Sequence, residues 1–277
     1  MEKKIYSTIL CCISFAAIAA CTQTPPDVIE RGAKYVALGS SFAAGPGISE
    51  QLGICGRSDH NYSNLVASAL DLTLTDVSCN GATIDNIRDT PQRDMPPQIG
   101  AISSDTALVT VTIGGNDINY TSSTFACSGT APDEHCTANL DQTAISNELS
   151  QLPDELGEML DEIKAKAPQA LIVLVTYPRV FPVDAVSCSE IELSAEDTAY
   201  LADLGHNLEQ AFLSAASSRE ILIADAYVRA AGHGPCATPA ERWVNGANVA
   251  DTGIRYHPTA EGHIEMARLV LAALGNN

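Results

Sequence analysis

The chain has 277 residues, 45% of them hydrophobic and only 5% aromatic, which suits one sizeable α/β domain with an aliphatic core. Against 15 Lys and Arg stand 34 Asp and Glu, a formal net charge of -19. That balance disfavours nucleic acid and anionic membrane surfaces as binding partners, serves solubility, and names no substrate.

Residues 1–21 read as an export leader. Lys3 and Lys4 give a short basic start, and 8–20 is an apolar run too short for a spanning helix. The leader ends Ile18-Ala19-Ala20-Cys21, which resembles the lipobox of bacterial lipoproteins, where the cysteine becomes the lipidated first residue; ordinary signal cleavage near Ala19 or Ala20 is the rival reading. Cysteine parity favours the lipobox. Of nine cysteines, Cys11 and Cys12 lie in the leader, and Cys55, Cys79, Cys127, Cys136, Cys188 and Cys236 can pair fully in an oxidising compartment. Cys21 is then the odd one, and lipidation gives it a use. The expected location is the cell envelope: exported, and either anchored to a membrane by lipid or secreted. Residues 22–33, with Pro25-Pro26, read as a linker, and 34–277 as the domain.

Tyr35 to Leu38 reads as a buried strand broken by Gly39, with Ser41 where the chain turns toward a helix. Residues 43–60 are Gly/Pro-rich loop. A helix is expected over 61–70 with Asn61 as cap, a strand over 72–77, and a short helix over 83–88. Residues 90–100 hold three prolines and read as loop. The clearest strand is 107–113, ending at Gly114-Gly115. Residues 119–139, Ser/Thr-rich with two cysteines, read as an excursion from the core. A helix over 145–167 is expected to be interrupted by Pro153 and halted by Pro168. A strand over 170–176, a helix over 194–214, a strand over 221–224 and a helix over 259–274 complete the chain. Strands alternating with helices predict a parallel sheet covered on both faces, with ligands beyond the carboxyl ends of the strands.

Four short blocks carry chemistry: Gly39-Ser40-Ser41-Phe42, Cys79-Asn80-Gly81-Ala82, Gly114-Gly115-Asn116-Asp117 and His257-Pro258-Thr259. The first three follow strands directly and so fall on one rim. Alone, each block is weak. In this order they resemble the SGNH hydrolases, the GDSL-type esterases and lipases, over nearly the whole span from 35 to 274. The resemblance implies a three-layer α/β/α sandwich with a central parallel, flavodoxin-like sheet, and cleavage of carboxylic esters through an acyl-enzyme. It assigns Ser41 as nucleophile, His257 as base, and the Ser41 and Gly81 N–H groups with the Asn116 amide as the oxyanion hole. The chemistry agrees. A serine hydroxyl needs a base to become nucleophilic, and an imidazole titrates near operating pH. A residue without Cβ lets the backbone approach substrate, and a neutral carboxamide donates without a charge. The Gly-x-Ser-x-Gly elbow of α/β-hydrolases is absent, since Ala43 stands two after Ser41.

Two positions depart from the family. Ser40 replaces the Asp that precedes the nucleophile, a residue that serves local structure. Ile254 occupies the position three before His257 where many members carry an acid. Either Asp251 reaches the imidazole through a bent loop, or a backbone carbonyl near Ile254 orients the ring in a Ser–His dyad, the reading we favour. Nearest-neighbour pairing gives Cys55–Cys79, Cys127–Cys136 and Cys188–Cys236, one of fifteen connectivities and the one usual in actinobacterial members. Such bridges staple loops around the active rim.

Asp117 reads as a supporting or capping carboxylate. His60, His135, His206, His233 and His263 read as surface residues. Tyr120, Phe125, Tyr177 and Phe181 either line an acyl pocket or simply pack. No Cys-x-x-Cys or His-x-x-x-His spacing suggests a metal, and no cofactor is implied. The expected partners are a small ester or lipid substrate and, through the anchor, a membrane; the protein is expected to be a monomer. Alternatives are a phospholipase or carbohydrate deacetylase on the same machinery, or a non-catalytic envelope-binding lipoprotein.

Overall fold

A computed structural model of the protein describes residues 29–128, 134–184, 188–249 and 251–276. The expected leader, Cys21 and most of the linker lie outside the described residues.

Lys34–Gly39 (β1) is an interior strand of the five-stranded sheet. Val36 and Leu38 point into one apolar layer and Tyr35 and Ala37 into the other, the period-2 alternation of a strand buried on both faces. It pairs in parallel with Thr73–Asp76 (β4) on one side and Thr106–Thr112 (β5) on the other. Leu171–Val175 (β6) and Leu222–Ala224 (β7) extend the sheet beyond β5, again in parallel. Gln51–Leu52 (β2) and Arg57–Ser58 (β3) form a separate two-stranded hairpin inside the expected 43–60 loop.

The sheet order β4-β1-β5-β6-β7 is the flavodoxin-like order once the hairpin is set aside. Its switch point lies between β1 and β5, the place where open α/β sheets leave a crevice at the carboxyl ends of their strands. Ser41–Ala44 (α1) starts at that point.

Tyr62–Leu70 (α2) and Ala260–Ala273 (α8) pack together on one face. Ile84–Arg88 (α3), Gln142–Lys166 (α5) and Ala195–Ala216 (α6) cover the other. Tyr120–Cys127 (α4) packs on α6, and Ala226–Arg229 (α7) follows β7. Polar residues inside the sheet are paired: the Thr110 and Thr112 hydroxyls meet the Tyr35 and Tyr62 phenols at 2.8 and 3.0 Å.

Three expectations need correction. Pro153 does not interrupt α5, which runs unbroken through it. A proline inside a helix costs about 3 kcal/mol. Against it stand the buried side chains of Leu152, Leu156, Met159, Leu160 and Ile163, each contributing about 2 kcal/mol. The 119–139 segment is not merely an excursion: it contains α4 and a 3-10 turn at Cys136–Asn139. The Cys127–Cys136 bridge and the Asp197 carboxylate, which accepts from the Cys136 and Thr137 N–H groups, dock that turn on α6. His263 is not at the surface. It is fully buried, its Nδ1 accepting from the Tyr62 N–H at 3.1 Å.

Candidate active site

The loop that carries Ser41 is set by a close approach of backbones. At Gly39 φ is +143°, and a Cβ there would lie 2.4 Å from the Thr112 carbonyl oxygen, so glycine is required. The buried Gln98 side chain grips the Gly39 peptide groups from outside the sheet, Oε1 accepting from Gly39 N–H at 2.8 Å and Nε2 donating to Gly39 O at 3.0 Å. Beyond Gly39 the chain turns into α1, and Ser41, only 2% exposed, becomes its first residue.

His257 Nε2 lies 2.8 Å from Ser41 Oγ, although 216 residues separate them. Its Nδ1 lies 2.9 Å from the Arg255 carbonyl oxygen. A carbonyl only accepts, so Nδ1 carries the proton and Nε2 presents a lone pair to the serine hydroxyl. Asp251 is exposed and makes no hydrogen bond to the ring. The orienting group is the carbonyl one residue beyond Ile254. Phe42 and Phe125 cover the imidazole, with ring centroids 4.7 and 5.9 Å away. Burial by these rings lowers the histidine's pKa from its usual 6.5 to about 4, with the Arg255 carbonyl opposing the shift.

Gly81 and Asn116 stand on the two neighbouring loops. Gly81 adopts φ +83°, and its N–H has no acceptor among the described residues. Asn116 Nδ2 donates one hydrogen to Ala82 O at 2.8 Å, leaving the second for another acceptor. Backbone bonds tie the three loops in a circuit. Cys79 N–H donates to Gly39 O and Ser40 N–H to Thr112 O, both at 2.9 Å, and the Asn116 amide closes the ring through Ala82.

Residues 37–263 match the GDSL-like Lipase/Acylhydrolase family. The chain belongs to that family. It is a carboxylic ester hydrolase of the lipase and esterase kind. Lipase 2 of Streptomyces coelicolor is 31% identical over 87% of this chain and 85% of its own length. The phospholipase A1 of Streptomyces albidoflavus and the extracellular lipase of Streptomyces rimosus superpose with TM-scores of 0.72 at 26% identity. Each alignment covers 87% of this chain, and 99% and 100% of the respective relative.

The two departures from the family pattern are compensated locally. Ser40 Oγ hydrogen-bonds the Tyr177 hydroxyl at 2.9 Å, and that hydroxyl accepts from Gly115 N–H at 3.2 Å. Gly115 is needed here, since a Cβ would lie 2.8 Å from the Tyr177 ring. Asp117 caps α3: its Oδ1 accepts from Ile84 N–H at 2.9 Å, while Oδ2 is buried without a partner. Burial raises its pKa from 3.8 to about 6. Of the four aromatics, Phe125 covers His257, Phe181 packs on Tyr256 beside it, Tyr177 holds Ser40, and Tyr120 packs against Gly205 of α6.

The three bridges Cys55–Cys79, Cys127–Cys136 and Cys188–Cys236 are all formed. The first adjoins the Gly81 loop, where Asn80 N–H donates to Cys55 O at 3.0 Å. Among the described residues no group of three or more His, Cys, Asp or Glu is placed to hold a metal ion. Sequence reasoning passed over Gln98, whose role depends on a fold of the Pro-rich loop that no local pattern announces. The specific carbonyl of Arg255 was also hidden, because backbone carries no residue signal.

Proposed function

We propose that the protein hydrolyses carboxylic esters with an apolar acyl group through a Ser41–His257 dyad and an acyl-enzyme. Ser41 Oγ attacks the carbonyl carbon as its proton passes to His257 Nε2. The oxyanion is held by the Ser41 and Gly81 N–H groups and the free Asn116 amide hydrogen. On collapse the carbonyl re-forms, the alkoxide leaves, and His257 returns the proton to it. Water then attacks the acyl-serine with His257 as base, releasing the acid and restoring the hydroxyl. The observation that carries this reading is the 2.8 Å contact between Ser41 Oγ and a histidine nitrogen kept unprotonated by the bond on the other side of its ring.

The leader reading makes the protein exported and lipid-anchored at Cys21, consistent with three disulfides and with an extracellular relative. Hydrolysis of p-nitrophenyl esters over several acyl lengths by wild type and Ser41→Ala tests the mechanism. The variant is expected to lose at least about 10³-fold in kcat. Parent-level turnover by Ser41→Ala would overturn the assignment.

A further inference from the structure

The peptide that joins Asn80 to Gly81 carries two polar groups with different fates. Its carbonyl oxygen accepts a hydrogen bond from Gln92 Nε2 at 3.1 Å. Its N–H belongs to Gly81 and has no acceptor among the described residues. Gln98 offers a contrast, since it takes up both the N–H and the carbonyl of Gly39. At Gly81 only the carbonyl end of the peptide is held, and the N–H stays available.

That peptide is the centre of a tight turn. Ala82 N–H donates to Cys79 O at 3.0 Å, closing a turn over 79–82. Asn80 keeps a negative φ and Gly81 has φ +83°, which makes the turn type II. Types I and II differ by a half-rotation of the central peptide, so a flip to type I swings the Gly81 N–H to the opposite face. A Cβ at Gly81 would meet nothing closer than Gln92 Nε2 at 3.6 Å, so φ alone asks for glycine. Glycine adopts negative φ equally well, however, and so permits type II without selecting it.

Gln92 is placed to make the selection. It opens a two-residue hairpin turn with Arg93 at φ +50° and Asp94 at φ +63°. Gln92 N–H donates to Met95 O at 3.0 Å, and Met95 N–H returns a bond to Gln92 O at 2.8 Å. Arg93 Nη1 donates to Ile54 O at 3.2 Å, which ties this turn to the segment beside the Cys55–Cys79 bridge. Gln92 Oε1 is buried without a partner. Left-handed backbone at two residues other than glycine is unfavourable, and buried acceptors are normally paired. Both costs accompany a single bond, that from Nε2 to Asn80 O.

We infer that Gln92 is a positioning residue for the oxyanion hole: its bond to Asn80 O holds the Asn80–Gly81 peptide in the type II orientation and so aims the Gly81 N–H at the developing oxyanion. The inference rests on the hydrolase reading, with Gly81 as one of its donors. The oxyanion forms only on the way to the tetrahedral intermediate, so loss of Gln92 acts on kcat and leaves KM nearly unchanged. Removing a whole donor costs about 10²–10³ in turnover, and releasing the peptide that carries one is expected to cost about 10- to 100-fold.

The test compares wild type with Gln92→Met, which keeps the length without a donor, and with Gln92→Glu, which sets a carboxylate oxygen against the Asn80 carbonyl. The substrate is p-nitrophenyl butyrate. The inhibitor is an alkyl trifluoromethyl ketone, whose carbonyl carbon bonds Ser41 Oγ and whose oxygen becomes an oxyanion as the serine proton passes to His257. In Gln92→Met kcat is expected to fall about 10- to 100-fold, and in Gln92→Glu at least as far, with KM within about 3-fold. The ketone's Ki is expected to rise by the factor by which kcat/KM falls, because both report on the oxyanion. A fold defect would lower the active fraction and leave Ki where it was. Gly81→Ala opposes φ +83° and so releases the same peptide, and on that background Gln92→Met is expected to cost less than about 3-fold. Wild-type kcat in Gln92→Met, a loss confined to KM, an unmoved ketone Ki, or full additivity with Gly81→Ala would each overturn the inference alone. Parent-level turnover by Ser41→Ala would instead overturn the hydrolase reading, and this inference with it.

Discussion

If His257 is the base, as proposed, its burial sets a measurable limit on the pH range of catalysis. The ring must be neutral to accept the Ser41 proton, and burial under Phe42 and Phe125 brings its pKa from 6.5 to about 4. That change corresponds to about 3 kcal/mol against the imidazolium. A lowered value for a base means that the competent form persists as pH falls, so the acid limb of kcat/KM is expected between pH 4 and 5 instead of near 6.5. His263 does not obscure this limb, since burial pushes it lower still, to about 3. Phe125 is the exposed one of the two covering rings, 36% accessible, whereas Phe42 is almost fully buried. Phe125→Ala admits water to one side of the imidazole and is expected to return roughly half of the displacement, raising the midpoint by about one pH unit. The assay is kcat/KM for p-nitrophenyl butyrate from pH 3.5 to 8, with product quantified after quenching into alkali. A wild-type midpoint at 6.5, or an unmoved midpoint in Phe125→Ala, would refute burial as the controlling force.

Other expectations follow from the same geometry. Asp251→Asn should stay within about 3-fold of wild type in kcat, because the Arg255 carbonyl already occupies Nδ1; a loss of orders of magnitude would show that the acid is used. Asp117→Asn keeps an acceptor for Ile84 N–H and removes a carboxylate whose pKa is raised to about 6. A raised acid means the folded state binds the extra proton, so in wild type stability falls as pH rises from about 4 to 6 and levels off above. The variant should lose that slope and gain up to about 3 kcal/mol at pH 7 in denaturant unfolding; lower stability than wild type at pH 7 would contradict this. Graded reduction should cut activity before the core unfolds, because Cys55–Cys79 adjoins the Gly81 loop, and simultaneous loss of both signals would count against it.

Much of this molecule was legible because its signals are local. Alternation in Tyr35–Leu38, the Asn61 cap, and the Gly39, Gly81 and Gly114 breaks each announce a boundary within a few residues. The Asn61 side chain does accept from Asn64 N–H, as a capping residue should. The misreadings came from contests that local patterns do not decide. Pro153 argues locally for a break, yet the apolar stripe around it outweighs the lost bond. His263 was readable after all: it shares a helical stripe with Met266, Ala267 and Val270, and that spacing belongs to a core face. Its polarity suggested the surface, whereas the Tyr62 N–H supplies the partner that makes burial tolerable.

The proposed Ser41–His257 dyad would explain how a site can lack a residue the family often supplies. An acid beside histidine fixes the tautomer and stabilises the imidazolium that forms during turnover. The Arg255 carbonyl does the first fully and the second only as a dipole. Burial by Phe42 and Phe125 further disfavours the imidazolium, so the cost of proton transfer rises on both counts. That cost must be met where charge of the opposite sign develops, at the oxyanion. Its donors are held rigidly by the circuit from Gly39 through Cys79 and Ala82 to Asn116, with the Cys55 bridge outside it. Preorganised donors in a water-poor site gain strength from the same low dielectric that weakens the base. Burial of the dyad and rigidity of the loops are therefore one requirement, and loosening the Gly81 loop should be more damaging to turnover than removing any carboxylate near His257.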